Sequence, residues 1–550
     1  MEAKKTIFWC KSCQTPIITD KSNTICTICN AKIRYMCTDL RPVFPEERLL
    51  VEILLQKPFA YINSEVWAST KGRYYVDGES VLIPQELYNH KNAESVRNAI
   101  AEYAPKNSDG NFSAMIKRFI KANSSHLLEI VEEAVKFTRQ AVSKYPTEHV
   151  VISFSGGKDS TVCADIVMQA IKSKEAVVLF GDTTLEYPLT YEYIERFKQN
   201  NPNVLHKTAR NNEHNFFDMC QDIGVPSRYN RWCCTTFKTG PIAKEFSRNY
   251  NNKTVLSFIG ARAAESSTRS NYLRLNNNSE EKKIQQQIPA YPIFYFSEAD
   301  VWLYILSNDL DFNEAYRLGY KRIGCWLCPN GKEKTVFLNY LYYNDKATAW
   351  REQLLKFATD TGRTNIEDYV DNLRWTYRYG GTGLKACDDV IVKSIGCTTE
   401  ENAKIYELKK PIRDSFNSFC SMFTPFGVLS QGRKLIDEVQ VLDRNDNKPV
   451  LSIQPMYSGD YNNSAKIKVL TTKRRKSTER KVAYQIRKFN ACRNCGKCDS
   501  ICVSNAIKIE KGVYKISNSM CTRCQKCINS KYLAGGCEMS KVLRTKRIMP

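Results

Sequence analysis

Between residues 113 and 145 apolar positions recur at three- and four-residue intervals, with Ile116, Phe119 and Ile120 followed by Leu127, Leu128, Ile130, Val131 and Ala134. That spacing gathers them on one face and predicts amphipathic helices. The pattern then changes. HVVISF (149–154) and AVVLFGD (176–182) are short unbroken apolar runs that predict buried strands, with a helix from about Asp159 to Ile171 between them. TVLSFIG (254–260) predicts a third strand. Strands alternating with helices predict a multidomain α/β protein built on a central parallel sheet, with its ligand site at the carboxyl ends of the strands.

Outside this core the pattern divides the chain further. Residues 1–40 carry paired cysteines, and 41–112 predict a small β-rich module with a tight hairpin at Asp77-Gly78. That module reads either as a packing domain or as one resembling an RNA-binding PUA domain. The α/β core is expected to span 113–345. After it, 346–488 blurs into a helical and mixed extension ending in a basic linker (Lys466, Lys468, Lys473, Arg474, Arg475, Lys476, Arg480, Lys481, Arg487, Lys488), and 489–550 is dense in cysteine. A chain of 550 residues is too long for one core, so several domains are expected.

Charge and cysteine change the picture most. Lys and Arg total 81 against 58 Asp and Glu, a net charge of +23, which points to a polyanionic substrate or partner. One four-thiolate zinc and three iron–sulfur clusters would each bring about −2, leaving the chain still basic at about +15. No apolar run reaches membrane-spanning length, and the start, MEAKKTIFWC, lacks the apolar segment of an export signal. A cytoplasmic protein without membrane partners is expected. Twelve of its 22 cysteines fall in C-x-x-C pairs and triplets, a metal-ligating pattern in a chain far larger than disulfide-stapled domains.

The first two pairs, Cys10/Cys13 and Cys26/Cys29, supply four soft thiolates for a structural zinc ribbon with no position open to substrate. In the core, Cys233-Cys234 and Cys325-x2-Cys328 can close on one soft metal centre. At the end, Cys492-x2-Cys495-x2-Cys498-x3-Cys502 matches the bacterial ferredoxin run, whose fourth cysteine serves the other cluster. Cross-ligation assigns Cys492, Cys495, Cys498 and Cys537 to one 4Fe–4S cluster, and Cys502, Cys521, Cys524 and Cys527 to a second. Val503 stands where proline usually follows, and nine residues separate Cys527 from Cys537. The five histidines show no ligand spacing.

The loop Ser153-Phe154-Ser155-Gly156-Gly157-Lys158-Asp159-Ser160 joins a strand to a helix. Its glycines allow close backbone approach, the helix N-terminus favours phosphate, and Lys158 can neutralise developing charge. SFSGGKDS is similar to the loop of the PP-loop ATP pyrophosphatases. The surrounding sequence resembles the phosphoadenosine phosphosulfate (PAPS) reductase family within that superfamily, through GDTTLEYPLTYEY (181–193), GARAAESSTR (260–269) and PIFYFSEADVWLYI (292–305). The resemblance implies an adenine-nucleotide α-hydrolase-like domain. It implies that Ser153, Ser155, Gly156, Gly157, Lys158, Asp159 and Ser160 hold phosphate, and that Asp182, Arg262, Glu265 and Arg269 line the nucleotide or substrate site. Lys158, Asp159, Arg262 and Arg269 are the catalytic candidates. The CC…CxxC pattern looks like the 4Fe–4S signature of adenylyl-sulfate (APS) reductases and of some DNA phosphorothioation proteins, with zinc fitting the spacing nearly as well.

Three functions follow as expectations. The first is reduction of an adenylated sulfate (APS or PAPS) to sulfite, with electrons from the chain's own ferredoxin-like domain or a donor protein. The second is ATP-dependent sulfur transfer, adenylation and then thiolation of tRNA or DNA, with Mg2+ a candidate companion of the nucleotide. The third and weakest is a non-catalytic iron–sulfur sensor that binds nucleic acid. The C-terminal E-C-G-x-H segment of assimilatory reductases is absent from the sequence, and Cys537 lies in GGCEM.

Overall fold

A computed structural model describes residues 5–171, 176–250, 253–277, 282–377, 384–413, 415–457, 459, 462–472, 474–510 and 513–543. Lys473 of the basic stretch lies outside these. The chain forms two compact units, one from residues 1–208, 255–277 and 288–350, the other from 209–254, 278–287 and 351–550.

The first unit is organised around a five-stranded sheet in the order Leu205–Arg210, Val177–Asp182, Val150–Phe154, Val255–Ile259, Gln287–Ala290. The central strand, Val150–Phe154, runs parallel to both neighbours. Its outer neighbour on one side is the next strand in sequence, whereas the neighbour on the other side comes a hundred residues later. That reversal is a topological switch point, where two loops part and leave a crevice above the strand ends. The predicted strands form within a residue or two of their expected limits, because each is a largely apolar run that a sheet covered on both faces can bury.

Helix Lys158–Ile171 packs on the sheet, as does Phe112–Val142, a single 31-residue helix where the periodicity had suggested several. Phe119 and Ala134 are fully buried on it, but Leu128 is 65% exposed. The helical period carries Leu128 off the stripe that Leu127, Val131 and Ala134 define.

The N-terminal cysteine segment is a three-stranded sheet in the order Thr15–Thr19, Thr6–Cys10, Arg34–Cys37. Buried Asn123 of the long helix fixes it in place, accepting from Ile18 N at 2.7 Å and donating to Pro16 O at 3.0 Å. Residues 40–81 form a four-stranded antiparallel sheet. Its hairpin turns at Asp77 and Gly78, whose φ values of 50° and 79° are both left-handed, as a two-residue hairpin turn requires.

In the second unit the region that reads as an extension is a six-stranded antiparallel sheet: Ser394–Gly396, Ala403–Glu407, Ser464–Val469, Pro449–Met456, Val439–Leu442, Val428–Gln431. The basic stretch is not a linker but a strand followed by helix Arg475–Ala491. Lys466 and Lys468 are the outward positions of a strand whose Ala465, Ile467 and Val469 point inward, and both lysines pair with Glu400. Beyond the helix, the hairpin Ile507–Glu510/Val513–Ile516 lies between the short helices Lys497–Ile501 and Glu538–Val542. Among the described residues no helix is long and apolar enough to cross a membrane.

Candidate active site and cysteine centres

The loop after Val150–Phe154 turns at Gly156, whose φ is +68° and where a Cβ would lie 2.8 Å from Thr190 Cγ2. Buried Asn313 holds the turn from outside, donating to Gly156 O at 3.2 Å and Thr190 Oγ1 at 3.0 Å. The serines secure it from within. Ser160 Oγ donates to Gly157 O at 2.7 Å and accepts from Ser155 N at 3.2 Å. Ser153 and Ser257, on adjacent strands, share a 2.9 Å hydroxyl contact. Across the switch point, a Cβ on Gly260 would sit 2.3 Å from Asp159 O, so only glycine lets the second loop pass the helix start. Gly260→Ala is expected to cost about 1–3 kcal/mol through overpacking and to weaken adenine-nucleotide binding by calorimetry. Unchanged stability and binding would refute this account of the crevice.

Lys158 and Asp159 open the helix, and the lysine side chain is almost fully enclosed. Lys158, Asp159, Arg262 and Glu298 close a four-membered ring of alternating charge. Its edges are Lys158–Asp159 at 3.2 Å, Asp159–Arg262 at 2.5 Å, Arg262–Glu298 at 2.7 Å and Glu298–Lys158 at 3.3 Å. Burial opposes every charge in it, yet each cation is flanked by two anions. Burial alone would raise the Asp159 carboxyl, but Lys158 and Arg262 bring it down to about 2. The same carboxylates push both cations up. Because the folded value of Asp159 lies below its ordinary 3.8, its contribution to stability is fully present above about pH 4 and is lost as pH falls towards 2. Asp159→Asn should flatten that stretch of a stability–pH curve measured by denaturation. A slope identical to that of the parent chain would contradict the assignment.

Three ring-side residues escape the sequence reading. Tyr316 Oη accepts from Lys158 N at 3.1 Å, and its ring lies 5.1 Å beneath the lysine ammonium. Glu298 begins the helix Glu298–Ser307, and the capping box Ser297/Asp300 marks that start in the sequence itself. Asp39, from far upstream, accepts from Glu298 N and Ala299 N at 2.9 and 3.0 Å. Burial and the nearby Glu298 push its carboxyl up to about 6.

Glu265 accepts from Arg262 N at 3.0 Å and pairs with Arg269, which remains partly open to solvent. Of the two arginines proposed to meet an anion, Arg262 is thus enclosed in the ring and Arg269 is accessible. Asp182 ends the neighbouring strand, accepting from Thr184 N at 2.7 Å and Tyr191 Oη at 2.9 Å. Directly after it, Thr183 Oγ1 lies 3.3 Å from Cys325 Sγ, and Trp326 N donates to Leu185 O at 2.9 Å. The Cys325/Cys328 turn therefore sits at the strand ends, beside Asp182. Cys233 and Cys234 belong to the second unit, on the short helix Trp232–Cys234 that continues as a π-helical turn, Thr235–Thr239. Such turns recur at functional sites. A hydrogen bond with Cys233, together with Arg231, Lys238 and Lys283, lowers the Cys234 thiol despite burial.

Residues 149–331 match the phosphoadenosine phosphosulfate reductase domain. Together with the sheet order, that match gives this segment the adenine-nucleotide α-hydrolase-like fold. Among curated proteins, an uncharacterised protein of Methanocaldococcus jannaschii is 33% identical over 228 residues, 42% of this chain and 46% of that one. The matched stretch therefore spans about half of that relative's length. An adenosine 5'-phosphosulfate reductase of Staphylococcus epidermidis is 28% identical over 203 residues, 36% of this chain and 76% of the enzyme. Among solved structures, the PAPS reductase of Candida auris, crystallised with phosphate, aligns with a TM-score of 0.29 at 18% identity, covering 37% of this chain and 96% of that one.

Outside the PAPS reductase-like segment two further cysteine groups stand out. The ligand atoms of Cys10, Cys13, Cys26 and Cys29 all lie within 4.8 Å of one another. The Cys10–Cys29 and Cys13–Cys26 sulfurs are 3.6 and 3.9 Å apart. With Zn–S bonds of about 2.3 Å, the edge of a tetrahedron is about 3.8 Å, so the four sulfurs fit a single tetrahedral ion as they stand. In the C-terminal module Cys495 lies near Cys492, Cys498 and Cys537, Cys521 lies near Cys502 and Cys524, and Cys527 lies near Cys498 as well as Cys502 and Cys521.

Proposed function

We propose that this chain is an iron–sulfur enzyme that reduces an adenylated sulfate. Electrons reach the nucleotide site through the C-terminal cysteine module. The observation that carries the reading is the buried charge ring. The lysine that made a triphosphate attractive in the sequence is tied to Asp159 and Glu298, while the glycine turn, the helix N-terminus and accessible Arg269 remain for a shorter anion. The similarity to adenosine 5'-phosphosulfate reductases over the same segment supports the same substrate class.

In this reading the loop Ser155–Asp159 holds the nucleotide phosphate and Arg269 orients the sulfate. Two electrons enter the sulfuryl group as its S–O bond to the nucleotide phosphate breaks, releasing sulfite and AMP (or its 3′-phosphorylated form). On their sequence pattern, Cys233, Cys234, Cys325 and Cys328 are proposed as the residues that would hold a 4Fe–4S cluster, which would supply electrons. Cys10, Cys13, Cys26 and Cys29 are proposed to hold structural zinc. Cys325→Ser should lower iron by about four ions per chain while the C-terminal module stays loaded. Equal iron in both proteins would remove the central site from the proposal.

The test is to reconstitute the protein without oxygen, reduce it, and supply APS, PAPS and ATP separately while assaying sulfite, AMP and pyrophosphate. Sulfite from APS or PAPS is the expected result. Pyrophosphate from ATP without sulfite would overturn the reductase reading in favour of adenylation and sulfur transfer to a nucleic acid.

A further inference from the structure

Helix Arg475–Ala491 carries a lysine where a solvated side chain would be ordinary. Lys488 is instead 1% exposed. Its ammonium donates to Cys527 O at 2.5 Å and lies 5.5 Å from the centre of the buried Tyr514 ring. Lys488 stands one helical turn before Cys492, the residue that caps this helix, so it sits beside a member of one quartet while bonding the backbone of a member of the other. Tyr514 in turn faces Cys498 and Cys527 first, and Asp499 after them. Cys527 and Cys498 also act on each other. Lys488, Tyr514, Cys498 and Cys527 are all buried, the last three in one apolar cluster. Lys497, the other buried lysine of the module, differs in facing the carboxylate of Glu538 as well as Cys495.

A buried ammonium without a carboxylate partner is costly unless an anion faces it. Two four-thiolate iron–sulfur sites, each carrying about −2, are such anions. We infer that Lys488 is a positioning residue for electron passage. Its fixed positive charge, set between the quartets, stabilises an added electron on either and keeps their electron affinities close enough for exchange. This rests on reading the quartets as 4Fe–4S sites. Each site takes one electron from an external low-potential donor, dithionite in the assay, and yields it to the next acceptor; no bond is made or broken, and Lys488 keeps its proton throughout.

The experiment uses the full chain, reconstituted without oxygen, as the parent protein and as Lys488→Met and Lys488→Arg. Iron and sulfide per chain are measured first, followed by a redox titration monitored by electron paramagnetic resonance. Lys488→Met is expected to keep its iron and to lose at least tenfold in reduced fraction of the C-terminal sites at a fixed potential, 59 mV for a one-electron couple. Lys488→Arg should stay within threefold of the parent. Full loading of Lys488→Met with unchanged potentials overturns the inference. If Lys488→Met does not load, denaturation of the metal-free proteins decides. The uncharged variant must then be the more stable, because its parent buries an ammonium facing no cluster, and equal or lower stability overturns the inference. A parent protein whose C-terminal module holds zinc rather than about eight irons removes the cluster reading itself, an outcome that metal analysis separates from the others.

Discussion

Glu298→Gln is expected to lower the unfolding free energy of the first unit by about 3–5 kcal/mol, because it leaves Lys158 and Arg262 buried with one carboxylate between them. The substitution keeps the side chain's shape, so the loss reports charge rather than volume. Glu298 bonds Arg262 at 2.7 Å and Lys158 at 3.3 Å, and both cations are almost fully enclosed. Lys158→Met alone should also destabilise, since Glu298 then loses a partner. The double variant Lys158→Met/Glu298→Gln removes one charge of each sign and leaves the Asp159–Arg262 pair at 2.5 Å intact. Its loss should fall short of the sum of the single losses by about 1–3 kcal/mol, the coupling expected of residues in one network. Denaturant unfolding of the four proteins completes the cycle. Additive effects, or a Glu298→Gln loss under about 1 kcal/mol, would mean that the ring is no unit. Turnover separates the two roles further. If the ring only shapes the loop, each single variant should lose activity in step with its effect on nucleotide affinity.

Stripping metal from the N-terminal quartet is expected to unfold the three-stranded sheet while the five-stranded sheet stays intact. The ribbon's own apolar cluster is small, with Phe8, Ile17 and Ile33 as its main side chains beside Cys10 and Cys26. A core of that size cannot offset the conformational entropy of some thirty residues, whereas structural zinc contributes about 10–16 kcal/mol in comparable small sites. Burial, and after it the neighbouring thiols, push the Cys10 and Cys13 thiols up. One zinc per chain should be released by a chelator, with hydrogen exchange accelerating at least a hundredfold across residues 6–19 and 34–37. Retained protection after complete metal loss would show that the contacts of Asn123 and the long helix suffice.

Much of this was legible in the chain. The apolar runs at 150–154, 177–182 and 255–259 state their own secondary structure, since a continuous apolar run flanked by turn residues has few ways to be buried. The Gly156 turn, the Asp77-Gly78 hairpin and the four N-terminal thiols are local, each set by conformational freedom or ligand spacing over a few residues. By contrast, the sheet at 394–469 was missed although Ala465, Ile467 and Val469 alternate with lysines. The lysines drew attention as a charge run, when their period of two marked the outer face of a strand.

What the sequence determined, then, is what depends on neighbours in the chain: strand and helix identity, the glycine turns, and the gathering of the four N-terminal thiols. Tertiary structure alone decided the rest. It bound Lys158 into a ring with Glu298, 140 residues distant, and brought Asp39 to cap that residue's helix. It buried Lys488 one turn before Cys492 and against the backbone of Cys527, where the sequence shows one more basic residue in a charged stretch. The physical reason is common to all three. A charge leaves water only where opposite charge or hydrogen-bonding groups are held ready for it, and those groups arrive from segments that no local pattern connects.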